Sequence, residues 1–235
     1  MSTAHEKYVE LQGLRNELPP GIEPAHTALL VIDMQAYFLD PSSPLSRACE
    51  SQVPGVLDDY HARGRDIVQP NLTRLLSAFR EHGMAVLYTT VASERSDGGD
   101  LSRVLRLRNQ SAQELQLPPY IPPRGDPWAA IVPALEPQED EVVVNKTTYG
   151  AFVSTGLEST LRNLGITTVV IGGVVTNVCV ETTARDACDR GFEVVVIDDA
   201  CAAFSPQAHD ATMLALQGPF AAVVGTDDFL GALSS

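Results

Sequence analysis

A single-domain α/β fold, a three-layer α/β/α sandwich with a mainly parallel six-stranded sheet, is what this sequence predicts, and three observations predict it. Apolar runs of strand length recur six times, helical stretches separate them, and several of those stretches end at a glycine just before the next run. Strand, helix, glycine, strand is the pattern of βαβ units, whose right-handed crossovers bury both faces of a sheet. A chain of 235 residues, 44% of them hydrophobic, is long enough for one substantial core, and no long polar or Gly/Ser-rich tract divides it.

Residues 1–25 carry Pro19, Pro20 and Pro24 among charged side chains without a clear period. They are expected to form an arm that packs on the body or on a neighbouring subunit, ahead of a domain spanning residues 26–235. The buried strands are expected at Ala28 to Asp33, Ala85 to Thr90, Glu141 to Asn145, Thr168 to Gly172, Glu193 to Ile197 and Ala221 to Val224. Between the first two, Leu72, Leu75, Leu76 and Phe79 recur at helical spacing, predicting a helix over Pro70 to His82 capped by Gly83. Leu157 to Leu164 before Gly165, Val180 to Arg190 before Gly191 and Pro206 to Gln217 before Gly218 repeat the scheme. The segment from Val91 to Gln138 is too long for an ordinary connection, so short helices are expected in it, with Arg103 to Leu117 a candidate. Long loops over strand ends commonly shape substrate pockets.

Bulk properties narrow the function. The net charge is −14 and the basic residues are scattered, which argues against nucleic acid and anionic membranes as partners. The first residues lack the basic-then-apolar pattern of a secretory signal, and nowhere do about 18 apolar residues run uninterrupted, so a cytoplasmic location is expected. The four cysteines, Cys49, Cys179, Cys188 and Cys201, form no C-x-x-C pair and no disulfide-like framework; free thiols are expected.

Three positions have the placement that chemistry requires. Asp33 follows the run ALLVI and Lys146 follows VVVN, which puts both at carboxyl ends of strands, where α/β folds bind ligands. Taken singly, a strand-end aspartate is more often a helix cap and a strand-end lysine more often a solvated charge. Cys179 stands where a strand has run through Gly172 and Gly173 and a helix opens; a thiol at a helix N-terminus can have a depressed pKa. Cys188 and Cys201 read as buried small hydrophobes, and Cys49 suggests no role.

The segments ALLVIDMQAYF, VNKTTYGAF and GGVVTNVCVETTARDA resemble, in order and separation, the three catalytic segments of the isochorismatase-like cysteine hydrolases, over about Ala28 to Leu230. The likeness is to the amidohydrolase branch, typified by N-carbamoylsarcosine, ureidoacrylate and biuret amidohydrolases. It implies Asp33 as general acid and base, Lys146 as the group that orients and stabilises the site, and Cys179 as nucleophile. It also implies a cis peptide between Val174 and Val175 and an oxyanion hole from the amides of Val175 and Cys179. The implied partner is a small-molecule amide, cleaved at a C–N bond with ammonia release and without a cofactor, by a homo-oligomer, a dimer or tetramer.

Members that cleave the vinyl ether of isochorismate lack the nucleophilic cysteine, so Cys179 argues against that activity. Nicotinamidase-type members carry an Asp-x-His metal motif, whereas TTVASERSDGGD has no histidine; no catalytic metal is expected. The stretch SERSDGGDLSRVLRLRN resembles loops of members acting on ureido and carbamoyl compounds. Arg95 and Arg103 are candidates to pair with a substrate carboxylate, Phe38 and Tyr149 to wall the pocket, and Gln217 to contact an amide. Two other classes stand beside the amidohydrolase: a non-enzymatic binding or assembly module on the same fold, and a redox thiol, against which no resolving cysteine lies near Cys179.

Overall fold

The computed structural model describes residues 17–19 and 21–234, together with Ala4, Lys7 and Tyr8. Six strands form one sheet: β1 (Thr27–Ile32), β2 (Ala85–Val91), β3 (Val142–Lys146), β4 (Thr168–Val174), β5 (Glu193–Ala202) and β6 (Ala222–Val224). Their order is β3-β2-β1-β4-β5-β6 and every pairing is parallel. All six expected strands are present. Strand order reverses between β1 and β4, the place where open α/β sheets leave a crevice at their carboxyl ends.

The helices are α1 (Ala36–Leu39), α2 (Pro44–Gln52), α3 (Asp58–Arg63), α4 (Gln69–Glu81), α5 (Arg103–Glu114), α6 (Leu157–Asn163), α7 (Glu181–Asp189), α8 (Pro206–Leu216) and α9 (Thr226–Leu233). Alternation along the strands splits the core in two. Leu29, Val31, Val170, Val195 and Ile197 face α4 and α9, whose Phe79 and Phe229 rings stack at 5.8 Å. Ala28, Leu30, Ile32, Val169, Ile171, Val194 and Val196 face the other way, towards Leu161 of α6, Ala184 of α7 and Met213 of α8. Buried on both sides, the inner strands β2, β1, β4 and β5 read as largely continuous apolar runs rather than alternating ones, while the edge strands β3 and β6 are only half-buried.

Gly83, Gly165, Gly191 and Gly218, expected as helix ends, all adopt left-handed φ. Gly173 has a stricter reason to be glycine: at φ +129°, an added Cβ would lie 2.1 Å from the Ile32 carbonyl oxygen of β1. That close approach holds the ends of β1 and β4 together.

Several elements depart from expectation. The helix expected to start at Pro70 is preceded by α3 and a π-helical turn over Gly64–Val68 that leads straight into α4. The irregular turn falls where Pro70, lacking an NH, would break an ordinary helical ladder. β5 continues past Ile197 to Ala202, because Asp198 and Asp199 find partners inside the fold: His209 with Asp198, and the Thr226 amide and hydroxyl with Asp199. The Val91 to Gln138 segment holds α5 and two 3-10 turns, Pro127–Ala129 and Pro133–Leu135. Of the expected arm, Leu18 and Ile22 pack against the core on the α4 side; most of residues 1–16 lie outside the described residues. Among the described residues no helix is long and apolar enough to cross a membrane.

Candidate active site

Asp33 is the first residue after β1 and stands at φ +50°, a left-handed conformation that aspartate tolerates better than most side chains. Its amide donates to the Thr89 carbonyl (3.1 Å) at the end of β2. The Thr89 hydroxyl in turn donates to Asp33 Oδ1 (2.7 Å). Two residues on, buried Gln35 clamps the neighbouring chain: its side-chain oxygen accepts from the Val91 amide (2.8 Å), and its side-chain nitrogen donates to the Ala129 carbonyl (2.8 Å). Thr89 and Gln35 were not singled out from the sequence, where a polar residue at or past a strand end reads as ordinary loop chemistry.

Lys146 closes β3, two strand spacings from β1, or about 10 Å. Only a long side chain can cover most of that distance, and the lysine stem does so beneath the site, fully buried. Its Nζ lies 2.7 Å from Asp33 Oδ2, donates to the Thr148 carbonyl (3.1 Å) and to Cys179 Sγ (3.5 Å). Burial acts to lower the lysine pKa, but the charges of Asp33 and Cys179 beside it outweigh that and raise it above the ordinary value. An ammonium so deep is tolerable only because it is paired and hydrogen-bonded.

Cys179 lies in a π-helical turn, Thr176–Val180, that leads into α7. The peptide between Val174 and Val175 is cis, and the Val175 carbonyl accepts from the amides of Val178 (3.0 Å) and Val180 (3.3 Å), on either side of Cys179. Burial pushes the thiol up to about 12, with Lys146 pulling it back down and Asp33 reinforcing the rise. The rise runs against the depression expected at a helix N-terminus, because burial disfavours the thiolate by more than the Lys146 ammonium favours it. Burial thus favours the neutral thiol, which stands beside the buried Asp33–Lys146 ion pair.

The thiol opens on a narrow cavity of about 20 Å³, room for about one water molecule. Its walls include Phe38, Leu105, Tyr149, Val175, Val178 and Phe204, with Arg108 as the one charged side chain among them. Phe38 and Tyr149 are thus where the sequence placed them. Behind them sit the phenols of Tyr37, against Phe38, and Tyr60, against Phe204. Burial and the nearby Asp33 and Cys179 raise both phenol pKa values, so both stay protonated.

Three expected contacts fall elsewhere. Arg95 is exposed, paired with Asp97 at 2.7 Å, and lines a separate surface depression with Arg106 and Asn109. Arg103 is exposed at the start of α5 and does not line the Cys179 cavity. Gln217 ends α8; a helix connecting parallel strands runs back along the sheet, so its C-terminus lies at the amino edge of β6, opposite the site. Cys188, expected buried, is half-buried on α7, whereas Cys201 is fully buried. Both are free thiols, as is Cys49.

A match to the isochorismatase domain model covers residues 27–228 and so includes all six strands and all three site segments. The chain belongs to the isochorismatase family. This isochorismatase-family hydrolase is 31% identical over 227 residues to the ureidoacrylate amidohydrolase RutB of Methylobacterium radiotolerans, covering 92% of this chain and 82% of that protein. It is 35% identical over 191 residues to a probable inactive nicotinamidase of Arabidopsis thaliana, covering 80% and 87% of the two chains. Among solved structures, a cysteine hydrolase from Pseudomonas syringae superposes with a TM-score of 0.74 at 28% identity, over 92% of this chain and 96% of the other.

Proposed function

We propose that this hydrolase is a cysteine-dependent amidohydrolase that cleaves a C–N bond of a small ureido, carbamoyl or carboxamide compound and releases ammonia through a thioester on Cys179. The observation that carries this reading is the convergence of three buried groups from three strand ends: Asp33 and Lys146 at 2.7 Å, and Lys146 and Cys179 at 3.5 Å. The kinship to an enzyme named for ureidoacrylate hydrolysis supports the same chemistry.

With the thiol neutral, a preformed thiolate is not the starting point. Asp33 accepts the thiol proton as Sγ attacks the carbonyl carbon, so that charge moves onto the oxyanion rather than resting on sulfur. Lys146 holds the carboxylate in place through the transfer. The amides of Val175 and Cys179 are assigned to the oxyanion, where losing one such donor costs about 3 kcal/mol. As the tetrahedral intermediate collapses, the C–N bond breaks, Asp33 returns the proton to nitrogen, and ammonia leaves. A water activated by the same carboxylate then adds to the thioester; the C–S bond breaks, and the proton returns to sulfur. Because the cavity is narrow, substrate entry requires movement of its wall, whose solvent-reaching members are Tyr149, Val178, Phe204 and the exposed Arg108.

The test is ammonia release by wild type and Cys179→Ala across ureido acids, biuret-like compounds and aliphatic or aromatic carboxamides. Turnover by wild type and none by the variant supports the reading. Silence from both, with the fold intact, contradicts it and favours a binding module, a possibility that kinship to a relative named as inactive keeps in view.

A further inference from the structure

The cavity at Cys179 is apolar except at one place. Arg108 sits on α5 three residues after Leu105 and four before Ala112, both fully buried, on the side of the helix nearest the cavity; it is itself exposed and lines the cavity from its solvent side. The other arginines of α5, Arg103 and Arg106, are exposed as well, but only Arg108 among the three lines the cavity. The guanidinium lies over the Tyr149 ring, 5.6 Å from its centroid, at the cavity mouth. Several arginines are held by carboxylates, Arg65 by Asp66, Arg74 by Asp227, Arg80 by Glu141, Arg95 by Asp97 and Arg185 by Glu181, whereas Arg63 is held by backbone carbonyls. Among the described residues no carboxylate forms an ion pair with Arg108, in a chain where acidic residues outnumber basic ones 30 to 16.

An arginine lining a cavity with its hydrogen-bonding fork unclaimed matches a planar anion, above all a carboxylate. An acidic surface repels anions at long range, so an anionic substrate needs a local cation of this kind. We propose that Arg108 binds a carboxylate of the substrate, so that the enzyme takes ureido or carbamoyl acids in preference to neutral amides. This rests on the amidohydrolase reading above and names the substrate class within it. Arg108 also replaces Arg95 and Arg103, both of which point elsewhere, as the specificity-determining cation.

Two experiments test it. In the first, kcat/KM is measured for ureidoacetate and ureidopropionate and for their methyl esters. Wild type is expected to prefer each acid to its ester. Arg108→Gln is expected to reduce that preference on the order of 10- to 100-fold, the range for a charge-assisted hydrogen-bonded pair, and Arg108→Lys to reduce it less. Equal use of acid and ester by wild type, or a preference that survives Arg108→Gln, overturns the proposal. The second reads the same point without turnover. Cys179 is alkylated with iodoacetate or its neutral isostere iodoacetamide, and the ratio of the two rates is compared with that at Cys188 by peptide mass spectrometry. The ratio at Cys179 is expected to fall about tenfold or more in Arg108→Gln. An unchanged ratio overturns the proposal even if amide turnover is established. A changed ratio in an enzyme silent on every amide sinks the amidohydrolase reading and keeps the anion site. A Cys179 that neither reagent reaches contradicts both.

Discussion

Cys179 and Cys201 are two buried thiols near neighbouring strand ends, one in the π-helical turn after β4 and the other the second-last residue of β5. Burial pushes both up to about 12. As acids they are alike. They differ in surroundings: Cys201 has the Gly173 backbone as its hydrogen-bonding partner, whereas Cys179 has the Lys146 ammonium at 3.5 Å and the Asp33 carboxylate beside it. Burial by itself makes a thiol inert, and a ready base beside it is what makes the first one chemically interesting. On the proposed mechanism, Cys179 is set apart by a group that can take its proton at the moment of attack, not by a standing negative charge.

The comparison breaks most sharply by deletion. Cys179→Ala is expected to lose roughly 10⁴-fold or more in turnover, measured as ammonia release. Cys201→Ala is expected to keep turnover within a few-fold while losing about 1 kcal/mol of stability in urea unfolding. Comparable activity losses in the two variants would erase the distinction. Asp33→Asn removes the base and leaves the Lys146 ammonium buried without its counter-charge, so it should abolish turnover and cost about 3–5 kcal/mol in the same unfolding assay. A stable, inactive Asp33→Asn protein would show that the pair contributes little to folding.

Gly173→Ala drives a Cβ into the backbone of β1, and a loss of several kcal/mol, seen as a lowered urea midpoint, is expected. Because Gly173 also faces Cys201 across the β4–β5 pair, this variant tests whether the two thiols share one scaffold. The smallest effect is in pH. Both thiols have folded-state pKa values raised from the ordinary 9 to about 12, so the folded protein keeps protons that the unfolded chain releases. Their contribution is fully present below about pH 9 and is lost as pH climbs towards 12. The alkaline fall in stability should be shallower in Cys201→Ala than in wild type, and an identical fall would count against burial as the cause.

Much of this was legible in the sequence because buried parallel strands are unbroken apolar runs, and helices with a Leu72-Leu75-Leu76-Phe79 type of stripe end at glycines such as Gly83. What escaped had no such contrast. α2 buries Ser46 and Ala48 rather than large apolar groups, and α3 is only six residues long. β5 hid its second half because Asp198 and Asp199 look like a strand end until His209 and Thr226 are seen to answer them. Asp33, Lys146 and Cys179 were legible as a set because each stands at or shortly past the carboxyl end of a strand. Thr89 and Gln35 were not, since their role lies in which atoms they hold. Gln217 was misplaced because nearness to a strand in sequence does not say which edge of the sheet a helix end reaches. Arg108 did not stand out in the sequence, being an exposed arginine like Arg103 and Arg106 on the same helix, and the thiol pKa was read from the helix dipole without the cost of burial.

The account turns on covalent chemistry at one sulfur. The most direct test is to quench the enzyme during turnover of a ureido acid and map adducts on all four cysteines by peptide mass spectrometry. The account predicts an acyl adduct on Cys179, absent in Cys179→Ala and cleared when substrate is exhausted; steady ammonia release with Cys179 unmodified, or with the adduct on another cysteine, would contradict it.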